Sequence, residues 1–290
     1  MALPLVKPSH PGHGRGAPRV NLRLPVDLHL TAARKQASDS REKSTSAMAR
    51  HHDIDHLLRN WKYEPGEVLA RIVRTGDGRE VIQMRVELGL LQLEVDARPD
   101  GTRPGGAETY YDYLVALAVR EGEAFQLSEE QQSEVDREFL QFYQRRICWL
   151  ALRRFDLAVR DADHNLTLLN FIKDCSPSED WYLAHEQYRP FILFHRTQAA
   201  ALAQLEAKGP DAAILELNNG LTRLREFFTE HEAEEHFEDD EMVTRLIQLR
   251  DSLRKDYNVG PTLEERLAEA VAQEQYELAA KLRDEINRRI

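Results

Sequence analysis

Hydrophobic residues alternate with polar ones early in the chain and recur every three to four residues later on. The alternation runs through "EVLARIVRTGDGREVIQMRVE" and again through "LGLLQLEV", and a period of two is typical of strands. Gly76 and Gly78 supply the positive φ that a tight turn between the first two strands needs. Turn residues in "ARPDGTRPGG" then end the third strand. We therefore predict a small antiparallel sheet within residues 51–106.

After residue 107 the pattern predicts only helices, forming a body over residues 107–257 and a terminal segment over residues 262–290. Helix-start and helix-stop residues divide this region: the capping-box pair Ser128 and Gln131, Ser176 with Pro177 at the first helical position, Pro210, and Gly260 with Pro261. Short links between such helices favour antiparallel neighbours. The predicted fold class is α+β, mostly α: a small antiparallel sheet, a body of helical hairpins and a C-terminal two-helix hairpin.

Two segments of the predicted body resemble tetratricopeptide repeats. In "LRRFDLAVRDADHNL" the side chains at Phe155, Ala158 and Ala162 follow the large–small spacing of that repeat, and "GPDAAILELNNGL" places Ala213 in the small position. Ala158 and Ala213, however, are separated by far more than the ~34 residues of one repeat. Any pair of tightly crossing helices also needs a small residue at the contact, so both interpretations stay open.

Composition and charge exclude several classes of protein. The chain has 290 residues, 42% of them hydrophobic and 31% charged, and no apolar run approaches the roughly 18 residues of a membrane-spanning helix. The start lacks the continuous apolar segment of a secretory signal, so we expect a cytoplasmic protein with no membrane partner. Cys148 and Cys175 form neither a disulfide framework nor a CxxC motif. We expect no metal and no other cofactor.

The charge is unevenly distributed. Residues 1–50 carry nine Lys and Arg against three Asp and Glu, whereas the whole chain has a net charge of −11. The body is therefore strongly acidic, which argues against a nucleic-acid groove there. Residues 1–50 are rich in Pro, Gly and Ser and should be a largely disordered basic arm. This arm could contact nucleic acid, although a flexible solubilising tail fits it better.

The last segment, "TLEERLAEAVAQEQYELAAKLRDEI", carries the clearest helical pattern. Leu263, Leu267 and Val271 lie on one apolar stripe, and a break near residues 273–275 precedes a second helix. In that second helix Tyr276 and Arg283 share a face with further small and apolar side chains. Two amphipathic helices on so short a link predict an antiparallel hairpin.

Such a hairpin has too small a core to be stable alone. About eight apolar side chains cannot offset the conformational entropy of ordering about 30 residues. The apolar face must therefore pack on another protein, on a second copy or on the rest of this chain. Arg283 within that face requires a carboxylate or carbonyl and would make docking selective. The residues predicted to dock a partner are Leu263, Leu267, Val271, Tyr276, Ala279, Ala280, Arg283 and Ile286.

These residues also carry a family resemblance. The UVR domain, or UvrB/UvrC motif, is similar to the pattern Ala270 … Tyr276-Glu277-x-Ala279-Ala280-x-x-Arg283-Asp284-x-Ile286. Tyr276 stands where that family usually has Phe. The resemblance implies a hairpin that pairs with another hairpin or a related surface. In that family the hairpin joins the helicase and nuclease subunits of bacterial excision repair, and it also occurs in activators of protein arginine kinase and in Clp-type unfoldases. It therefore implies protein docking in a bacterial protein.

Other motifs are incomplete. There is no GxxxxGK[ST] loop for a repair helicase, and no CxxC pairs for the zinc site of the arginine-kinase activators. The histidines of "HEAEEH", His231 and His236, are five residues apart instead of the four that a shared metal needs, so a solvated acidic face is favoured. "HDIDH", from His52 to His56, has the right spacing, but polar residues leading into a helix explain it better. "VRDADHN" lacks the spacing of a kinase catalytic loop.

Three hypotheses follow. The first is a non-catalytic cytoplasmic adaptor whose hairpin docks a partner or self-associates while the body holds a second protein. The second is an accessory factor of nucleotide excision repair that recruits repair enzymes through the same hairpin. The third and weakest is an enzyme built around the sheet, with Trp61, Arg85 and Asp100 as candidates.

Overall fold

The computed structural model describes residues 53–122 and 125–289, with the side chain of the last of these excluded. The described part is mostly helical with one small antiparallel sheet, which confirms the predicted fold class. The predicted basic arm over residues 1–50 lies outside the described residues, and so does His52. Its disorder and any contact with nucleic acid stay predictions.

A three-stranded meander forms the sheet, after a short helix α1 (Asp55–Asn60). The strands β1 (Leu69–Arg74), β2 (Glu80–Val86) and β3 (Gly89–Glu94) are antiparallel in the order β1-β2-β3. Gly78, in the turn between β1 and β2, has φ of +90° as predicted, whereas the prediction of a positive φ at Gly76 is wrong. Ile82 of β2 pairs with Leu93 of β3, and both side chains are buried against the helices.

Nine further helices follow the sheet in the described residues. Their bounds are α2 (Tyr110–Glu121), α3 (Glu129–Ala151), α4 (Phe155–Cys175), α5 (Glu179–Glu186), α6 (Arg189–Lys208), α7 (Pro210–Glu230), α8 (Glu241–Tyr257), α9 (Leu263–Ala272) and α10 (Tyr276–Arg289). Single 3₁₀ turns occur at Pro104–Gly106 and Glu234–His236. The long helices pack in the series α3–α4, α4–α6, α6–α7 and α7–α8.

The predicted helix starts are confirmed except at α5. Ser128 and Gln131 form the expected capping box, because the Gln131 N–H donates to Ser128 Oγ and the Ser128 N–H donates to Gln131 Oε1 at 2.8 Å. The prediction of Pro177 at the first helical position is wrong. The Ser176 hydroxyl donates to the Ser178 carbonyl at 2.6 Å and closes a turn, so Ser178 becomes the N-cap and the helix begins at Glu179.

Small residues mark the tight helix crossings of the body. Ala158, Ala162 and Ala213 are completely buried. At Gly220 of α7, an added Cβ would lie 2.1 Å from Thr197 Cγ2 of α6, so only glycine permits this approach. The tetratricopeptide resemblance is not confirmed. The four long helices α3, α4, α6 and α7 have 20 to 23 residues each, and two such helices exceed a repeat of about 34 residues.

A buried arginine joins the sheet to the helices. The Arg145 guanidinium of α3 donates to both carboxylate oxygens of Asp161 on α4, at 2.7 and 2.8 Å, and to the carbonyls of Glu94, at the end of β3, and of Ala97. Trp149 packs in the same region with Ile82 and other apolar side chains. The sheet and the first two long helices are therefore held together by one shared core.

A second buried carboxylate fixes α2. Glu138 of α3 is completely buried and accepts the backbone N–H groups of Tyr110 at 2.6 Å and Tyr111 at 3.0 Å, in the first turn of α2. Its Oε1 also lies 3.0 Å from His164 Nε2, and Arg98 Nε lies 3.4 Å from its Oε2. Two polar residues of "VRDADHN" thus have structural roles: Asp161 forms an ion pair with Arg145, and His164 contacts the Glu138 carboxylate.

Candidate protein-docking site

The terminal hairpin begins with a capping box. The Glu265 N–H donates to Thr262 Oγ1 at 3.2 Å, and the Thr262 N–H donates to Glu265 Oε2 at 2.8 Å. The helix α9 ends at Ala272, and the Gln275 N–H donates to the Ala270 carbonyl at 2.8 Å to close the link. The predicted hairpin and its break at residues 273–275 are therefore confirmed.

A small core holds the two helices of the hairpin together. Ala270 on α9 faces Ala279 and Leu282 on α10, and all three are buried. Leu263 and Leu267 are half-buried against this cluster. None of these residues belongs to the hydrophobic clusters of the described body. The hairpin therefore has a core of its own.

The docking residues predicted from the sequence divide into two groups. Leu263, Leu267 and Ala279 lie between the two helices, where the small Ala279 side chain lets α9 approach α10. Ile286 is half-buried, one turn beyond Leu282 on the same side of α10. All four lie on the inward side of the hairpin, and the first three belong to its core. The other four, Val271, Tyr276, Ala280 and Arg283, are exposed.

These four exposed residues form what we call the docking face. Tyr276, Ala280 and Arg283 lie within an arc of about 60° on α10, since successive residues turn by about 100°. The two helices are right-handed and antiparallel. On each helix, a residue turned by about 90° from the interface, in the direction in which residue number increases, therefore lies on the same side of the hairpin. Val271 is turned by about this angle from the buried Ala270, and Tyr276 is turned by about this angle from the buried stripe of α10. Tyr276 is 67% exposed and Val271 is 51% exposed.

Arg283 lies at one end of the docking face without a distant partner. Its Nη2 lies 3.1 Å from Oδ1 of the adjacent Asp284, and its side chain is 65% exposed. No carboxylate or carbonyl from another helix of the described chain contacts it. The cation therefore remains available to an acidic group of a docking partner.

The hairpin is attached to the body through the first turn of α9. Oε1 of Glu265 accepts from Asn218 Nδ2 of α7 at 2.9 Å and from the Arg254 guanidinium of α8. Burial alone would raise the pKa of Glu265, but the hydrogen bonds from Thr262, Arg254 and Asn218 outweigh it and lower the pKa below its usual value. The body thus anchors α9 at one carboxylate and leaves the docking face uncovered.

Leu282 and Glu265 were absent from the predicted site. The spacing of Ala279, Leu282 and Ile286 already contains the inward stripe of α10, at i, i+3 and i+7. Glu265 has a local signal in its capping-box spacing from Thr262. The contacts of Glu265 with Asn218 and Arg254, in contrast, leave no recognisable pattern in the sequence.

Two of the candidate catalytic residues, Arg85 and Asp100, form hydrogen bonds that hold neighbouring segments of the fold together. Arg85 donates from Nε to the Trp61 carbonyl at 2.8 Å and from Nη1 to the Gly89 carbonyl at 2.9 Å. Asp100 accepts from the Thr102 N–H and from Gln141 Nε2, each at 2.9 Å. Among residues 53–122 and 125–289, no three His, Cys, Asp or Glu side chains are grouped so that they could hold a metal ion. The enzyme hypothesis stays a prediction.

Comparison with known proteins identifies the hairpin. The family model described as the UvrB/uvrC motif matches residues 261–288, which include α9 and nearly all of α10. This match confirms the resemblance, and the motif is in general a protein-interaction motif. No curated protein and no solved structure matches the chain. In the described part of the chain, none of the helices combines the length and apolar character needed to cross a bilayer.

Proposed function

We propose that this protein is a non-catalytic cytoplasmic adaptor that docks a partner protein through its C-terminal hairpin. The observation that carries the proposal is the exposure of Tyr276 and Val271 beside Arg283, on a hairpin whose own core is already closed. Large apolar side chains at a partner interface contribute most of the binding energy when they become buried. Arg283 then selects partners that present a carboxylate against it.

The body determines how the hairpin is presented. Glu265 joins the first turn of α9 to α7 and α8, at the end of the hairpin opposite the link over residues 273–275. The docking face is consequently held away from the acidic body and open to solvent. A second partner, which an adaptor requires, would bind the helical body.

A double substitution tests the proposal. Tyr276→Ala with Arg283→Glu removes the apolar anchor and reverses the charge of the docking face. Full-length protein with these changes should lose partner capture in a pull-down from the native cell, while circular dichroism shows unchanged helical content. The matched control is Leu278→Ala with Lys281→Glu, which makes the same kinds of change on another side of α10. Equal capture by the two double variants would contradict the proposal.

The match to the UvrB/uvrC motif also favours a second candidate function, in which the hairpin recruits enzymes of nucleotide excision repair. In that case the captured partners are excision-repair proteins, and the basic arm over residues 1–50 adds contacts to DNA. Salt-dependent DNA binding by the full-length protein that is lost on deletion of residues 1–50 would support this function. Capture of unrelated proteins without DNA binding would exclude it.

A further inference from the structure

Arg146 is a buried arginine whose hydrogen-bonding groups are not satisfied by the fold. The residue is 1% exposed, and neither Nε nor Nη1 has an acceptor among the residues that the structure describes. The guanidinium carbon lies 5.5 Å from the centre of the Tyr143 ring. Burial lowers the pKa of Arg146 to about 10, so the side chain remains positively charged at neutral pH.

The adjacent arginine, Arg145, is a buried arginine that does have acceptors, and the comparison shows what Arg146 lacks. Arg145 is equally buried, but it has the Asp161 carboxylate and two backbone carbonyls as acceptors. Both oxygens of Asp161 are occupied by Arg145, and Oδ1 also accepts from Arg160 at 3.3 Å. The carboxylate whose charge acts on Arg146 is therefore already neutralised. The charge of Arg146 lacks a counter-charge of its own.

A second buried polar group, which experiences the charge of Arg146, also lacks a partner. His195 of α6 is 6% exposed, and its Nδ1 has no hydrogen-bond partner in the described structure. Burial and then the nearby Arg146 charge lower the pKa of His195 well below its usual range, so the ring is neutral and able to donate one hydrogen bond. The indole N–H of Trp149, one turn along α3 from Arg146, is a third buried donor without an acceptor. Unsatisfied donors thus accumulate at the junction of α3 and α6.

We propose that Arg146 and His195 bind an oxyanion, a carboxylate or a phosphate group, between α3 and α6. Buried charges in folded proteins are paired, because an isolated charge loses its hydration without compensation. An oxyanion supplies both the missing charge and the missing acceptors, and arginine is the residue best suited to bind it. Tyr143 of α3 and Phe191 of α6 contact each other at this junction, where both are half-buried and their ring centres are 5.9 Å apart. The Phe191 ring in turn lies 4.2 Å from the His195 ring.

Thermal unfolding of the full-length protein tests this site. The protein is unfolded in sodium phosphate, sodium acetate or sodium chloride at equal ionic strength, and the first two arms separate phosphate from carboxylate binding. A ligand whose free concentration is about ten times its dissociation constant raises the melting temperature of a protein of this size by roughly 2–5 °C. Arg146→Met should abolish this shift. The matched control is Arg137→Met on the same helix, where the arginine side chain is 61% exposed, and it should retain the shift.

Several results would overturn the proposal. An equal shift in the wild type and in Arg146→Met would indicate a general salt effect, and the absence of any shift in the wild type would exclude the site. If Arg146→Met does not fold, Arg146→Gln replaces it, because this variant keeps a polar side chain but removes the charge. Broadening of the ³¹P resonance of inorganic phosphate by the wild type, and not by the Arg146 variant, measures phosphate binding independently. None of these readouts involves the hairpin, so they are independent of the proposed docking function.

Discussion

Replacing Glu265 with alanine should detach the first turn of α9 from α7 and α8 while the helical body stays folded. The carboxylate accepts from the Thr262 N–H at 2.8 Å, from Asn218 Nδ2 at 2.9 Å and from the Arg254 guanidinium. The first of these contacts caps α9, and the other two join α9 to α7 and α8. Alanine removes all three, whereas the hairpin core of Ala270, Ala279 and Leu282 is unchanged.

The expected loss of stabilisation can be summed from the individual contacts. A helix-cap interaction contributes about 1 kcal/mol, and a hydrogen bond such as that from Asn218 contributes about 1 kcal/mol. The side chains of Arg254 and Glu265 are 25% and 26% exposed, so solvent screening limits their ion pair to roughly 0.5 kcal/mol. The total of about 2–3 kcal/mol corresponds to a rise of roughly 30- to 150-fold in the population of the state in which the first turn of α9 is both uncapped and detached from the body.

Hydrogen exchange measured peptide by peptide is the appropriate assay. Amides in the first turn of α9 should exchange roughly 30- to 150-fold faster in Glu265→Ala, while amides of α6 and α7 keep their protection. The matched control is Glu264→Ala, which removes an exposed carboxylate from the same turn. If both variants exchange alike, or if the body loses protection together with the hairpin, the assignment of Glu265 as the attachment point is refuted.

The same contact makes the attachment dependent on pH. The pKa of Glu265 in the folded state is lower than its usual value of 4.5. The ionised carboxylate therefore stabilises the attachment fully above about pH 4.5, and this stabilisation is lost as the pH falls from there through the lowered pKa. Protection of the α9 amides, corrected for intrinsic exchange, should decrease over this range in the wild type. A Glu265→Gln variant should not show this decrease.

Three further predictions concern the body. Gly220→Ala should lower the melting temperature, because the added Cβ lies 2.1 Å from Thr197 Cγ2 and such overpacking costs about 1–3 kcal/mol. The control Gly260→Ala should leave the melting temperature unchanged, because no atom lies within 4 Å of its new Cβ. Equal melting temperatures for the two variants would contradict the close approach of α6 and α7. Glu138→Ala should destabilise the protein by about 2–4 kcal/mol in urea unfolding, since it removes the buried acceptor of the Tyr110 and Tyr111 N–H groups while Arg98 keeps the Glu134 carboxylate, and a loss below about 1 kcal/mol would show that water replaces the Glu138 carboxylate. Burial raises the pKa of Cys148 to about 12, so this thiol should react with a disulfide reagent at pH 8 only after unfolding, and rapid labelling of the native protein would contradict its burial.

Local patterns in the sequence predicted the sheet and the hairpin correctly. Each strand of the meander pairs with its neighbour along the chain, so alternation and turn glycines are sufficient to define it. The capping boxes at Ser128 and Thr262 and the break at residues 273–275 are likewise formed by residues close in sequence. A displaced start, as at α5, arises where two serines only two residues apart, Ser176 and Ser178, compete for the cap.

The remaining features depend on contacts between distant residues. A helical wheel of α10 shows that its apolar residues cluster, but it does not show which of them face α9. The spacing of Ala279 and Leu282 forms a stripe in the sequence, but only the structure shows that this stripe, and not Tyr276 and Ala280, faces α9. The contact of Glu265 with Asn218 and Arg254, and the unpaired Arg146, depend on how helices far apart in sequence come together.

The separate core of the hairpin has a consequence for how this chain can vary. No side chain is shared between the cluster around Leu282 and the clusters of the described body, so a substitution in one leaves the packing of the other undisturbed. The 28 residues matched by the motif can therefore be exchanged for another hairpin as long as the acidic side chain at 265 is kept. If the hairpin docks a partner as proposed, selection can alter the docking face without redesigning the scaffold that carries it.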